Sequence, residues 1–245
     1  MLSLYNWNVT HKTEGETSDR MNRVRDRIKE WTKGESSVIC LQEVDESLAD
    51  DLGEDFGYEY VSSYYRYDEK NHGLFIAVPR KWIISFRTDV YGAAIPEDSN
   101  KEAVLTANLW IDGTVVSIGT TRCTKDVDYC ILEASTYSDI LTGHFLDCKA
   151  TMYKSAAATG FIDLLPVLAG GHHAWTTCTF PGKTQCLDHV FVQRSFKNES
   201  GSTKAMFTPK TKLFTSLPDD PAQCIMPSDE CPSAHMPIKL DVTFA

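Results

Sequence analysis

The stretch Val38-Ile39-Cys40-Leu41-Gln42-Glu43-Val44 (VICLQEV) decides how this chain folds. It is short, apolar and rich in β-branched residues, as expected of a strand covered on both faces. Yet it closes on Gln42, Glu43 and Asp45. Charge at the end of a covered strand is costly unless it has a partner, and strand ends in α/β folds are where ligands sit.

Upstream, Leu2 to Val9 (LSLYNWNV) reads as a second apolar strand, ending at Asn8. Between the two lies a helix. Ser18-Asp19 suit its N-cap, Met21, Val24, Ile28 and Trp31 recur at spacings of three and four, and Lys33-Gly34 stop it. The chain therefore opens as strand, helix, strand. Downstream, strands are expected over Tyr58–Tyr65, Gly73–Val78, Trp82–Arg87, Val104–Ile111 and Thr114–Gly119, with Asp112-Gly113 as a hairpin turn. Helices are expected over Tyr129–Tyr137 and Ala150–Thr159, the second stopped by Gly160. Strands follow over Asp139–Phe145, Leu187–Gln193 and Ile238–Phe244. Helices spaced among many strands imply an α/β (α+β) fold. Two mostly antiparallel sheets pack face to face with helices outside, a four-layer α/β/β/α sandwich.

Composition sets the bounds. The 245 residues contain no linker, repeat or low-complexity tract, so one domain, 1–245, is expected. A formal net charge of -10 argues against wrapping by nucleic acid or an anionic membrane, although docking at one face stays open. The longest apolar runs, such as FIDLLPVLAG (Phe161–Gly170), are too short to span a bilayer and contain proline. The N-terminus lacks a signal-peptide pattern, so an intracellular location is expected, an organelle included if a presequence has been removed. The eight cysteines form no CxxC pair and are expected to be mostly reduced. Cys178 and Cys186 could face each other across a Pro-Gly hairpin. Of two sequons, Asn8-Val9-Thr10 falls in a buried strand and is discounted, leaving Asn198-Glu199-Ser200.

Polar residues close or open the apolar strands at four places: Asn8, Glu43, the pair Asp188-His189, and His235 just before the last strand. Their order resembles the endonuclease/exonuclease/phosphatase superfamily, the fold of deoxyribonuclease I and its relatives, over nearly the whole chain. NWN (Asn6–Asn8) is similar to the family's first-strand motif, which ends in a metal-site Asn. LQEV (Leu41–Val44) is similar to the motif whose Glu holds the divalent ion, and GLFIAV (Gly73–Val78) to its glycine-led inner strand. LDHVFV (Leu187–Val192) resembles the late strand whose Asp orients the catalytic His. IGTTRC (Ile118–Cys123), TGHFLDC (Thr142–Cys148) and PSAHMPI (Pro232–Ile238) fall where the family has Thr-His, Gly-Asp-Phe-Asn and Ser-Asp-His.

The resemblance implies catalytic roles for His235, Asp188 and Asn8 and a metal role for Glu43. In the family a Mg²⁺ ion polarises a phosphate oxygen while an Asp activates water and an Asn binds the phosphoryl group. Here Arg122 replaces the Thr-His histidine, His144 the water-activating Asp, Leu146 the phosphoryl-binding Asn and Ala234 the Asp of Ser-Asp-His. Asp147 and Asp229 are candidates to refill the vacated acids, and Glu43, His144 and His235 together would suit a zinc-like site. His172 and His173 are read as exposed loop histidines.

A catalytically inactive protein of this fold is the expectation. It would be a binding or structural subunit of a larger assembly, a ribonucleoprotein among the candidates, with no cofactor. Protein partners are expected, with a phosphate-bearing ligand or RNA held at one face by a positive pocket of Arg122, His144 and His235. Tyr64-Tyr65 would be contact surface. The alternative is a divergent Mg-dependent phosphodiesterase, nuclease or phosphatase.

Overall fold

A computed structural model describes residues 2–9, 18–33, 36–68, 72–91, 102–124, 127–146, 150–164, 176–180, 183–193, 196–197, 203–204, 210–213, 233, 235 and 237–242. The chain begins with β1 (Leu2–Asn8), α1 (Ser18–Thr32), β2 (Ser37–Asp45) and α2 (Glu46–Phe56). A single 3₁₀ turn leads into β3 (Tyr60–Arg66), β4 (His72–Pro79) and β5 (Ile83–Tyr91). The middle holds β6 (Glu102–Ile111), β7 (Thr114–Cys123), α3 (Val127–Tyr137), β8 (Ile140–Phe145), α4 (Ala150–Ala158) and β9 (Phe161–Asp163). Then come β10 (Thr177–Phe180), β11 (Lys183–Gln185), β12 (Asp188–Gln193), β13 (Phe196–Lys197), β14 (Thr203–Lys204), β15 (Lys210–Leu213) and β16 (Ile238–Val242).

Two six-stranded sheets result, ordered β15-β16-β1-β2-β4-β3 and β5-β6-β7-β8-β12-β9. Most neighbours run antiparallel; β1–β2 and β7–β8 are parallel, each pair joined through a helix. Period-2 alternation sends one half of each strand inward. Leu2, Leu4, Val38, Cys40, Ile76, Leu105, Ile118, Ile140 and Val190 belong to a core between the sheets. The other half faces the helices. Tyr5, Trp7, Ile39 and Leu41 pack on α1 and α2, while Leu141, Phe145 and Phe191 pack on α3 and α4. This is the expected four-layer sandwich, and it explains why the central strands are apolar on both faces.

Asp112 and Gly113 both take positive φ, 49° and 81°, between β6 and β7. That is the backbone a two-residue hairpin needs to match strand twist. Not anticipated was α2. Asp45 caps it, its side chain accepting from Leu48 N, and Leu48, Leu52 and Phe56 bury one face at a spacing of four. Asp45 reads in sequence as the polar end of a strand, and it is also the start of a helix.

Two smaller expectations change. Cys178 registers against Thr184, so it does not oppose Cys186. Cys40, Cys123, Cys130 and Cys186 are outside any disulfide. Tyr64 and Tyr65 are partly buried, each packed against one of the two apolar cores, and not the fully exposed patch expected. Among the described residues no helix is long and apolar enough to cross a membrane. Ala234, Asp147, Asp229, His172, His173 and Asn198 lie outside the described residues.

Candidate functional site

At one end of the gap between the sheets, three adjacent strands place polar side chains in a row. Arg122 on β7 registers with His144 on β8, and His144 registers with Asp188 on β12. Each lies an even number of residues from an inward-facing apolar neighbour: Ile118, Ile140 and Val190. All three therefore turn toward the opposite sheet. Gly143 lets this row form. A Cβ there would lie 2.2 Å from the Thr121 carbonyl oxygen, so only glycine allows β8 to lie this close to β7.

The facing sheet contributes Asn8, fully buried at the end of β1, and Glu43. Simple alternation would send Glu43 into the helix layer, because Leu41 already faces it. A bulge reverses this. The β2–β4 register shifts between Gln42 and Val44, and Glu43 takes φ 58°, a left-handed backbone unusual for a non-glycine residue. The extra residue turns Glu43 inward to meet Arg122, whose Nε donates to Glu43 Oε1 at 2.9 Å. Deeper in the gap, Gln42 Nε2 donates to Asn6 Oδ1 and to Thr120 Oγ1, both at 2.7 Å, tying the two sheets together.

His235 arrives from the segment before β16 and is braced on several sides. Trp7 Nε1 donates to its carbonyl at 2.8 Å. Its own N–H donates to Ser233 Oγ at 3.1 Å, and Ser233 Oγ donates to the Asn8 carbonyl at 2.7 Å. A backbone bridge to Thr177 completes the hold. Asp188 is braced too, because Thr176 Oγ1 accepts from its backbone N at 2.9 Å. His235 Nδ1 meets Asp188 Oδ2 at 2.8 Å, while His144 Nδ1 lies 3.5 Å from Asp188 Oδ1. The two imidazoles stand edge to face, with centroids 4.9 Å apart.

The charges are matched, not simply positive. Burial pushes the Glu43 carboxyl up, but the charge and hydrogen bond of Arg122, helped by His144 and His235, hold it below the usual range. Asp188 is wholly buried, and its two histidines still hold its carboxyl well below that range. In return Asp188 raises His235 against the effect of burial. Arg122 is likewise raised despite burial, by Tyr67 and Glu43. The positive pocket expected from Arg122, His144 and His235 is thus a compensated cluster containing Glu43 and Asp188.

The structure brings Asn8, Glu43, Arg122, His144, Asp188 and His235 to one pole. His189 does not join them. One residue along β12 from Asp188, it faces the outer layer and pairs with Asp163 at 2.6 Å. Leu146 lies just past β8, about half exposed, its backbone N donating to the Cys123 carbonyl at 3.0 Å. Thr176, Ser233 and Tyr67 were not singled out from sequence. Tyr67, whose ring lies 5.4 Å from the Arg122 guanidinium, follows β3 and carries no local motif.

This architecture matches known structures over essentially its full length. D. rerio TDP2 complexed with a single-strand DNA product superposes with TM-score 0.69 at 14% identity, covering 99% of this chain and 98% of that one. An endonuclease/exonuclease/phosphatase from Bacteroides vulgatus gives 0.68 at 14% identity, with 99% and 98% covered. This is the endonuclease/exonuclease/phosphatase fold. The human Nocturnin catalytic domain with bound sulfate anion shares it, with TM-score 0.67 at 12% identity, covering 100% of this chain and 94% of that one. No family model and no curated protein matches the sequence itself. What this chain shares with the endonuclease/exonuclease/phosphatase fold is therefore three-dimensional.

Proposed function

We propose that the chain is a divergent phosphoester hydrolase whose water-activating group is His144, Asp188 and His235. One observation carries this: the 2.8 Å Asp188–His235 hydrogen bond lies at the same pole as Asn8 and Glu43, the other residues that match the family pattern. A pole braced by Trp7, Thr176 and Ser233 is an expensive arrangement to hold without use, since buried polar groups need partners. In the reaction, water adds to phosphorus and gives up a proton, and the ester oxygen leaves with the electron pair of the P–O bond and takes up a proton. Arg122, 25% exposed, is placed to exchange Glu43 for phosphate oxygens.

The residues present do not fit the family's Mg²⁺. That ion demands a shell of oxygen donors, and the pole offers Asn8, a Glu43 already ion-paired to Arg122 and an Asp188 set between two histidines. The net charge of -10 favours a small phosphodiester or a strand engaged at its end over a wrapped duplex. The test is a panel of a nitrophenyl phosphodiester, a nitrophenyl phosphomonoester and single-stranded DNA and RNA. Turnover is expected, falling about 10²- to 10⁴-fold in Asp188→Asn. A folded protein that is inert across the panel overturns the proposal.

The Glu43–Arg122 ion pair favours a second possibility, a subunit that holds a phosphate-bearing partner without cleaving it. Stable binding of a single strand with no turnover, unchanged in Asp188→Asn, would establish that instead.

A further inference from the structure

We propose that His144, Asp188 and His235 form a binding site for one first-row transition-metal ion, zinc(II) in the first instance. The site deepens the hydrolase proposal and rests on it for what the ion does, though not for whether the ion binds. Among the described residues these three form the one cluster of metal-ligating side chains, all buried, with donor atoms within 4.8 Å of one another.

Proximity alone would fit a plain hydrogen-bonded trio. Two atoms speak against that. His144 Nδ1 and Asp188 Oδ1 are buried with no hydrogen-bond partner, on residues 4% and 0% exposed. Leaving such groups unsatisfied is costly. They face each other at 3.5 Å, long for a charged hydrogen bond. Two donors on one tetrahedral zinc, each 2.0–2.2 Å away, lie roughly 3.3–3.6 Å apart. One cation would satisfy both atoms at once.

The donor set chooses the metal. Two imidazoles and one carboxylate suit zinc and its first-row neighbours, whereas Mg²⁺ seeks oxygen alone. Three protein ligands also leave a position open, as catalytic zinc sites do, where water or a phosphate oxygen could bind. The carboxylate is Asp188 and not Glu43, because Glu43 is held by Arg122. The zinc-like site expected from sequence thus keeps its two histidines and changes its acid.

The test uses the whole chain, stripped with chelator and titrated with Zn²⁺ by calorimetry, with Co²⁺ substituted for visible absorption. One equivalent is expected to bind and raise Tm. Affinity should fall by at least about a hundredfold in His144→Ala and Asp188→Asn, since even the loss of an outer partner costs 10–100-fold. Glu43→Gln should lose far less affinity than Asp188→Asn, since it removes a neighbouring charge and not a ligand. His144→Gln, checked by circular dichroism, covers the case in which His144→Ala fails to fold. No uptake by the native chain, or undiminished uptake by folded variants, overturns the site. Zinc bound without phosphoester turnover upholds the site and sinks the hydrolase proposal. Turnover by metal-free protein that takes up no zinc does the reverse.

Discussion

Arg122 Nε donates to Glu43 Oε1 at 2.9 Å across the gap between the two sheets. The guanidinium occupies the carboxylate that the family pattern assigns to a divalent ion, so one side chain both neutralises the acid and blocks it. Arg122→Ala should uncover it. Stability is expected to fall by about 1–2 kcal/mol, as for a half-buried ion pair. Millimolar Mg²⁺ should then restore part of the loss in the variant and leave the native chain unchanged. Urea unfolding with and without Mg²⁺ measures both effects.

Asp188 is the one carboxylate between two imidazoles, so removing its charge affects both at once. Asp188→Asn is expected to cost about 2–4 kcal/mol, because it weakens a buried charged hydrogen bond and leaves His235 poorly matched. Ser233→Ala should cost less, about 1–2 kcal/mol, since it removes only the hydroxyl linking Asn8 to His235. Equal losses in the two variants would contradict this ranking.

Gly143→Ala tests the close approach of β7 and β8. The added methyl would lie 2.2 Å from the Thr121 oxygen, a backbone atom that cannot move without its strand. A loss of about 2–4 kcal/mol is expected, together with displacement of His144. Gly113→Ala is the control, because a methyl there meets open space and only its φ of 81° is strained. It should cost about 1 kcal/mol.

Asp139 gives a pH dependence away from the pole. Burial raises its carboxyl from 3.8 to about 6, despite the hydrogen bond it accepts from Ser117 N. A raised folded-state value means the neutral form is favoured. The stability it contributes is full below pH 3.8 and is lost as pH rises through about 6. The native chain should therefore lose on the order of 2–3 kcal/mol over that window from this group. Asp139→Asn should flatten the profile and be the more stable form at pH 7.5, as read by denaturant melts at pH 4 and 7.5.

Much of the fold is legible locally. The spacing of Val24, Ile28 and Trp31 and the Asp112-Gly113 dipeptide each carry their own signal. Helix α2 was not legible because its polar, acid-rich sequence with Gly53 inside dilutes the pattern of Leu48, Leu52 and Phe56. At the pole, the order of Asn8, Glu43, Asp188 and His235 could be read from strand ends. The Glu43–Arg122 pair could not. It joins residues 79 apart and depends on a bulge with positive φ at a glutamate, which no residue preference announces. The pairing of His144 with Asp188 likewise follows from the β8–β12 register, which only the assembled sheet fixes.

The row Arg122–His144–Asp188 has a mechanical consequence. Its members sit on three hydrogen-bonded strands and not on loops, so their backbone spacing is the inter-strand repeat of about 4.8 Å. None can shift along its strand without breaking a ladder of main-chain bonds. The backbone at the pole is thus a ruler whose marks are fixed by the sheet. For the hydrolase proposed above, this fixed spacing is what a phosphate-bearing ligand would have to match.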